Sequence, residues 1–377
     1  MSGCSAGDLN FSNMLSPITG PQAPAAPQGQ SFGTGPVQVA MLLPLSGDPS
    51  LTAVGSSMAN GAQLAMEFIG SSPSMKDNIT LTIKDTGTTA QGAAQAASQA
   101  VSEGASLILG PLLSDQVGAV AGVTRSAGIN VIAFSNNPGA AQPGVYLLNV
   151  LPGSETHRSL GYARAQGRKA FAGLFPTSSA GQVQQTAFTQ AASDLGLRVV
   201  GLYTFASEGE AQDAVNRLLP TLTAGQVDAL FLPDRASAPV IAGLLAQAKV
   251  DPADLLIIGS ADWNGDPQIL AAPALTGAIY PALDDTGYQA ILPQYQQRFG
   301  ATPHPLVTIA YTAVILANAS TLALATPRYD RTLLTSAGGF NGRDGVFRFL
   351  ADGRSEYGLV IKKVQPGGAV VVDGPKL

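Results

Sequence analysis

The chain has 377 residues, 45% of them apolar, and a formal net charge of −5. At roughly 100–200 residues per domain, that length predicts two domains with full-sized cores. Charged residues make up only 12% of the sequence against about 25% in an average globular chain, and the negative balance leaves no basic field for phosphates, which excludes nucleic acid as a partner.

Cys4 is the sole cysteine, so neither an intrachain disulfide nor a cysteine-rich metal site can form. It ends the tripeptide Ser2-Gly3-Cys4, which looks like the close of a bacterial lipobox, where small residues precede a cysteine that is lipidated once a signal peptide is cut. The expectation is a periplasmic lipoprotein anchored through Cys4, its signal peptide absent from this sequence, that touches the membrane only by that anchor. Ser5 to Pro36 carries prolines at 17, 21, 24, 27 and 36 among Gln, Gly, Ser and Ala. It has no apolar periodicity, so residues 1–36 read as the attachment cysteine plus a disordered tether.

From Val37 the pattern becomes regular. VQVAMLL (37–43) reads as a strand, PLSGDPSLTAVG as a turn, SSMANGAQLAMEFI (56–69) as a helix and ITLTIKD (79–85) as a strand. AQGAAQAASQAVSEG (90–104), SLILG (106–110), SDQVGAVAGVTRSAG (114–128) and NVIAF (130–134) continue as helix, strand, helix, strand. The series restarts after GVYLLNVLPGSE (144–155), with His157 expected to start a helix. Strands at 170–176, 197–205, 227–233 and 255–260 then alternate with helices near 181–195, 208–219 and 238–249. This alternation predicts an α/β protein built on parallel sheets with helices on both faces, and its restart predicts two doubly wound, Rossmann-like lobes. The last quarter adds helices near 287–299 and 305–325. The second of these is interrupted by Thr308, Thr312, Asn318 and Ser320 and fits a buried helix better than a membrane span, which needs about 18 apolar residues. GVFRFLADG and EYGLVIKKVQPGGAVVVD close the chain as antiparallel strands, with ADGR as a hairpin turn.

In open α/β sheets ligands sit outside the strand C-terminal ends. Four such loops carry polar residues: PLSGD, GPLLSD, FSNNPG and GSADWNGD. Taken singly, each is also explained by turns and caps, with Ser114 read as an N-cap and Asp266 as the cap of a short helix.

Taken in order over roughly 37–373, three stretches resemble the type I periplasmic-binding-protein superfamily, in its leucine-binding-protein-like group. They are VQVAMLLPLSGDPSLTAVGSSMANGAQLAMEFI, KDTGTTAQGAAQAASQAVSEGASLILGPLLSDQVGAVAGVTRSAGINVIAFSNN and FNGRDGVFRF. LLPLSG, DTGTT, VIAFSNN and GRDGVFRFLADG look most like the bacterial penicillin-binding-protein activators, lipoproteins that use this fold near cell-wall synthases. The resemblance implies two lobes joined by crossing segments around a cleft, 37–150 with 282–342 and 151–281 with 343–377. In amino-acid-binding members the serine after GP and residues after the fourth strand hold the ligand carboxylate, which implies Ser114, Ser135 and Asn137. An acidic residue of the second lobe holds the ammonium, which implies Asp262. Ser46, Asn136 and Trp263 complete the candidate cleft set; Trp263, the sole tryptophan, would act as an aromatic wall or as hinge-side packing. Transport-type relatives often carry aromatics where this sequence has Val54-Gly55 and Ala180-Gly181, and each loss forfeits roughly a kcal/mol of ligand contact.

Catalytic chemistry is missing. His157 and His304 have no neighbouring motif, and there is no Gly-Lys phosphate loop, G-x-S-x-G elbow or cysteine–histidine zinc spacing. The expectation is a non-catalytic binding lipoprotein without cofactor or metal, probing a small polar ligand such as an amino acid and contacting a cell-wall synthase. The alternative is the substrate-binding protein of an ABC importer, with its permease as partner and a branched-chain or amide amino acid as ligand.

Overall fold

The structure, a computed structural model, describes residues 29–251 and 254–377. Cys4 and the tether up to residue 28 lie outside the described residues. Of the described residues, one compact unit is formed by 29–151 with 284–357 and the other by 152–283 with 358–377. From residue 29 onward the chain therefore passes between them three times.

The first unit opens with β1 (Ser31–Phe32), β2 (Val37–Leu43), α1 (Pro49–Ser71), β3 (Ile79–Asp85), α2 (Ala90–Ser102), β4 (Leu107–Leu109), α3 (Ser114–Ser126), β5 (Asn130–Ala133) and β6 (Val145–Leu147). They form one sheet in the order β1-β3-β2-β4-β5-β6, parallel except for β1. Apolar side chains such as Ala40, Leu42, Ile108, Val131 and Leu147 pack against Ala93, Ala97, Val117 and Val120 of the covering helices. The alanines of α2 allow that helix to lie close to the sheet.

Two expectations need correction here. Residues 29–36 are ordered rather than part of the tether. Ser31 and Phe32 pair antiparallel with Thr82 and Leu81, and a Cβ on Gly35 would stand 2.2 Å from the backbone of Asn78 and Ile79, so a stretch of low hydrophobicity is held by backbone pairing at a sheet edge. Second, α1 starts at Pro49, within the segment read as a turn. Asp48 caps it, accepting from the N–H groups of Ser50 at 2.9 Å and Leu51 at 3.0 Å, with Pro49 preset for the first helical position.

The second unit contains α4 (Pro152–Ala165), β7 (Ala170–Pro176), α5 (Ser179–Asp194), β8 (Arg198–Phe205), α6 (Glu208–Thr223), β9 (Ala229–Phe231), α7 (Ala238–Gln247), β10 (Leu256–Ile258), α8 (Pro267–Ala271) and β11 (Ile279–Ala282). α4 begins before His157, so Glu155 lies in its first turn. Back in the first unit, α9 (Thr286–Phe299), α10 (Val307–Asn318), α11 (Ser320–Ala323) and α12 (Arg331–Leu334) precede a small antiparallel sheet. That sheet is β12 (Phe340–Gly342), β13 (Gly345–Phe349) and β14 (Ser355–Tyr357). Finally β15 (Leu359–Gln365) and β16 (Gly368–Lys376) return to the second unit. Its sheet runs β16-β15-β11-β10-β9-β7-β8, with β15 and β16 antiparallel and the rest parallel.

Alternation along β7 shows why that sheet has two cores. Phe171 and Phe175 face one side with Phe188 and Phe231, while Ala172 and Leu174 face the other with Val215, Leu218 and Tyr280. α10 is buried nearly all round. Gly61 of α1 meets it so closely that a Cβ there would lie 2.6 Å from Val307 Cγ2.

Residues 343–357 belong with the first unit, not with the second as expected. Packing explains the difference: Phe349 stacks near Tyr146 with ring centroids 5.3 Å apart, Leu147 N–H donates to the Gly353 carbonyl at 2.8 Å, and Ser355 Oγ donates to the Asn149 carbonyl at 2.7 Å.

Candidate functional site

In the first unit β2 is flanked by β3 on one side and β4 on the other, so the winding reverses beside β2. The loops that leave β2, β4 and β5 meet at this switch point, where ligands of open α/β sheets bind. Gly110, with φ +87°, ends β4 so close to β2 that a Cβ would lie 2.2 Å from the Leu42 carbonyl oxygen. Only glycine allows that approach.

Ser46, Ser135, Asn136 and Asn137 are on the loops after β2 and β5, and Ser114 opens α3 where the loop after β4 ends. Ser46 is exposed and hydrogen-bonds the Asp85 carboxylate. Burial alone would raise Asp85, but hydrogen bonds from Ser46 and from the Gly87 and Leu45 N–H groups, both at 2.8 Å, hold it below its usual value. Ser114 is half-buried at the first helical position of α3. The cap position belongs to Leu113, and no side chain caps this helix. The N-cap expected of Ser114 is thus displaced by one residue. Ser135 is fully buried; its Oγ accepts from Asn137 N–H at 3.1 Å, so it shapes the loop from within. Asn137 Oδ1 accepts from Gly139 N–H at 3.0 Å. Asn136 and Asn137 both remain half-buried.

The second unit has its own switch point, because β7 is followed by β8 on one side and β9 on the other. The loop after β9 carries Asp234 and Arg235, and the loop after β10 carries Ser260 to Asp266. Ser260 Oγ donates to the Pro233 carbonyl at 2.7 Å and ties the two loops together. Asp266 caps α8 as expected, accepting from Gln268 N–H at 2.8 Å and Ile269 N–H at 3.2 Å, and pairs with Arg235 at 3.5 Å.

Asp262 keeps an exposed side chain in a short turn, Ala261–Trp263. Desolvation raises its carboxyl, the Arg235 guanidinium opposes that, Asp234 adds to it, and the result lies above the usual carboxylate range. Of the two roles expected for Trp263, packing is the one seen: it is 0% exposed, lies by Tyr280 at 6.2 Å between ring centroids, and leaves no room for a Cβ on Gly259. The indole is a core side chain and offers a ligand no aromatic wall.

Glu155 is the residue that sequence reasoning missed. It is 5% exposed. Gln184 Nε2 donates to Oε1 at 2.8 Å and Ala261 N–H donates to Oε2 at 2.8 Å. Desolvation, then the nearby Asp262 charge, push its carboxyl up to about 8 against those two hydrogen bonds. An acid in a helix's first turn is ordinary complement to the helix dipole, so nothing in the sequence set it apart.

Among the described residues no group of three or more His, Cys, Asp or Glu could hold a metal, and no helix is long and apolar enough to cross a membrane.

Two doubly wound units, linked by three passages of one chain and carrying polar loops at both switch points, define a binding protein of the type I periplasmic class. The periplasmic binding protein family matches residues 36–343, and the chain belongs to that family. Its members are binding proteins, and the membership places the chain's work outside the cytoplasm. The penicillin-binding protein activator LpoA of Edwardsiella piscicida is 30% identical over 189 residues, 50% of this chain and 26% of that protein. LpoA of Edwardsiella ictaluri (strain 93-146) is 29% identical over 199 residues, 52% of this chain and 28% of that protein. The matched region thus spans about a quarter of these relatives' length. Among solved structures, the LpoA C-domain from Haemophilus influenzae, a regulator of PBP1A, has a TM-score of 0.66 at 16% identity, covering 89% of this chain and 99% of that one. An ABC transporter substrate-binding protein from Desulfitobacterium hafniense in complex with Leu has a TM-score of 0.64 at 17% identity, with 89% and 99% coverage. At these identities the two structures show the shared fold.

Proposed function

We propose that this chain is a non-catalytic lipoprotein that activates a penicillin-binding protein, anchored through Cys4 and held off the membrane by the tether that follows it. The observation that carries this reading is the similarity to the LpoA activators over half of the chain. It is supported by the residues at positions where transport-type relatives often carry aromatics, Val54 and Ala180, and by Trp263, which is enclosed in the core. In this reading the switch-point loops of the first unit, with Ser46, Ser114, Asn136 and Asn137, receive a small polar ligand, which stabilises a conformation only by its differential affinity for it.

Interferometry with an immobilised penicillin-binding protein ectodomain tests the partner. Saturable binding is expected, and none would remove the reading. A second reading, the substrate-binding protein of an ABC importer, is favoured by the exposed Asp262 in the turn after β10. Thermal-shift screening against amino acids separates the two. A ligand at about 100-fold its Kd stabilises by roughly 2.7 kcal/mol, so a branched-chain or amide amino acid that does this without partner binding would favour the importer. Mass spectrometry of membrane-extracted protein tests the diacyl group on Cys4.

A further inference from the structure

Glu155 poses a problem of proton accounting. Its two partners in the structure, Gln184 Nε2 and Ala261 N–H, are both donors, as a carboxylate needs. Yet the carboxyl is buried, and the charge that acts on it is the like charge of Asp262. A buried carboxyl in that position favours its neutral form, and a neutral carboxyl must donate. Neither present partner can accept.

The acceptor is on the same amide. Gln184 Oε1 is buried and has no hydrogen-bond partner among the described residues. Half a turn of the amide exchanges Nε2 for Oε1, the two orientations being set by the hydrogen-bond network around them. We propose that Glu155 and Gln184 form a two-position proton switch behind the Asp262 turn. With the proton on, Glu155 donates to Gln184 Oε1; with the proton released to bulk water, Gln184 turns Nε2 toward the carboxylate. Ala261 N–H stays on Oε2 in both positions, so the turn that carries Asp262 keeps its place while the charge behind it changes. Neutral Glu155 lets Asp262 ionise; ionised Glu155 opposes it. Glu155 is therefore a positioning residue for the turn and sets its electrostatics.

Among the described residues the surrounding elements supply no competing partner charge. On α4 itself, His157 is exposed, Arg164 is exposed in the last turn, and Arg158 bonds the Leu359 carbonyl and Asp373. α5 carries one charged residue, Asp194 at its far end. β10 and β11 carry none, while on β15 Lys362 bonds Asn264 at 2.9 Å and Lys363 is exposed. Across the turn stand Asp262 and, acting on it, Asp234 and Arg235.

The test is an NMR titration of the full chain from pH 5 to 10, with glutamate carboxyl carbons labelled and the Gln184 side-chain amide assigned. One glutamate should titrate with a midpoint near 8, and its signal should vanish in Glu155→Gln. The Gln184 amide should move with the same midpoint in the unsubstituted protein, and Asp262→Asn should shift that midpoint down. A Glu155 midpoint in the ordinary carboxylate range overturns the proposal. So does a Gln184 amide that stays still while Glu155 titrates. Neither readout requires a ligand, so the switch and the activator reading fail separately.

Discussion

Asp344 sits at the turn between β12 and β13, 4% exposed. Its carboxyl is hydrogen-bonded by Thr308, but Oδ2 has no partner among the described residues, and neither does the Tyr357 hydroxyl. Desolvation pushes the carboxyl from an ordinary 3.8 up to about 7. The folded unit therefore holds this proton more tightly than the unfolded chain does. The stabilisation is complete below about pH 3.8 and is lost as pH rises through about 7. At about 1.4 kcal/mol per pH unit over roughly three units, the ceiling is about 4 kcal/mol. Asp344→Asn keeps the shape without the charge. The variant should match the parent near pH 4 and exceed it by up to about 4 kcal/mol near pH 8. Because two units need not unfold together, the assay is hydrogen exchange of the Val346–Phe349 amides against pH, which reports on the unit that contains Asp344. A difference that does not change with pH, or that grows in favour of the parent at high pH, would refute the reasoning.

Trp263→Ala empties a fully buried indole site and should cost about 3–5 kcal/mol in urea unfolding followed by circular dichroism; a loss below about 1 kcal/mol would return Trp263 to an open, ligand-facing role. Gly259→Ala forces a Cβ to within 2.2 Å of the Trp263 ring, so it should both destabilise the second unit and shift the single tryptophan's emission; unchanged emission would contradict the packing described. Asp48→Ala removes the two cap bonds of α1 and should lower stability by about 1 kcal/mol, read by exchange of the Ser50 and Leu51 amides. No loss of their protection would mean the cap is idle.

The alternation of strands and helices was legible because apolar periodicity and glycine punctuation agree along most of the chain. What escaped was decided by short polar contacts or by distant packing. Asp48-Pro49 is a cap-and-first-turn signal, yet the flanking Gly47 and Ser50 made the stretch read as a turn. Gly33 to Pro36 has the composition of a tether, and only pairing beside β3 reveals that it is ordered. Nothing local to residues 343–357 says that Phe349 belongs against Tyr146, so their place with the first unit is not legible in the sequence. In the candidate site, position at strand ends singles out loops but not the direction of each side chain, so the fully buried Ser135 and Trp263 look the same in the sequence as the exposed Ser46 and Asp262. Glu155 depends on a backbone N–H from more than a hundred residues away, which no spacing rule reaches.

The most direct measurement is the rate of glycan cross-linking by a purified bifunctional penicillin-binding protein, with and without a molar excess of this chain. The account predicts faster cross-linking when the chain is present. An unchanged rate, from a synthase shown to be active on the same substrate, would contradict it.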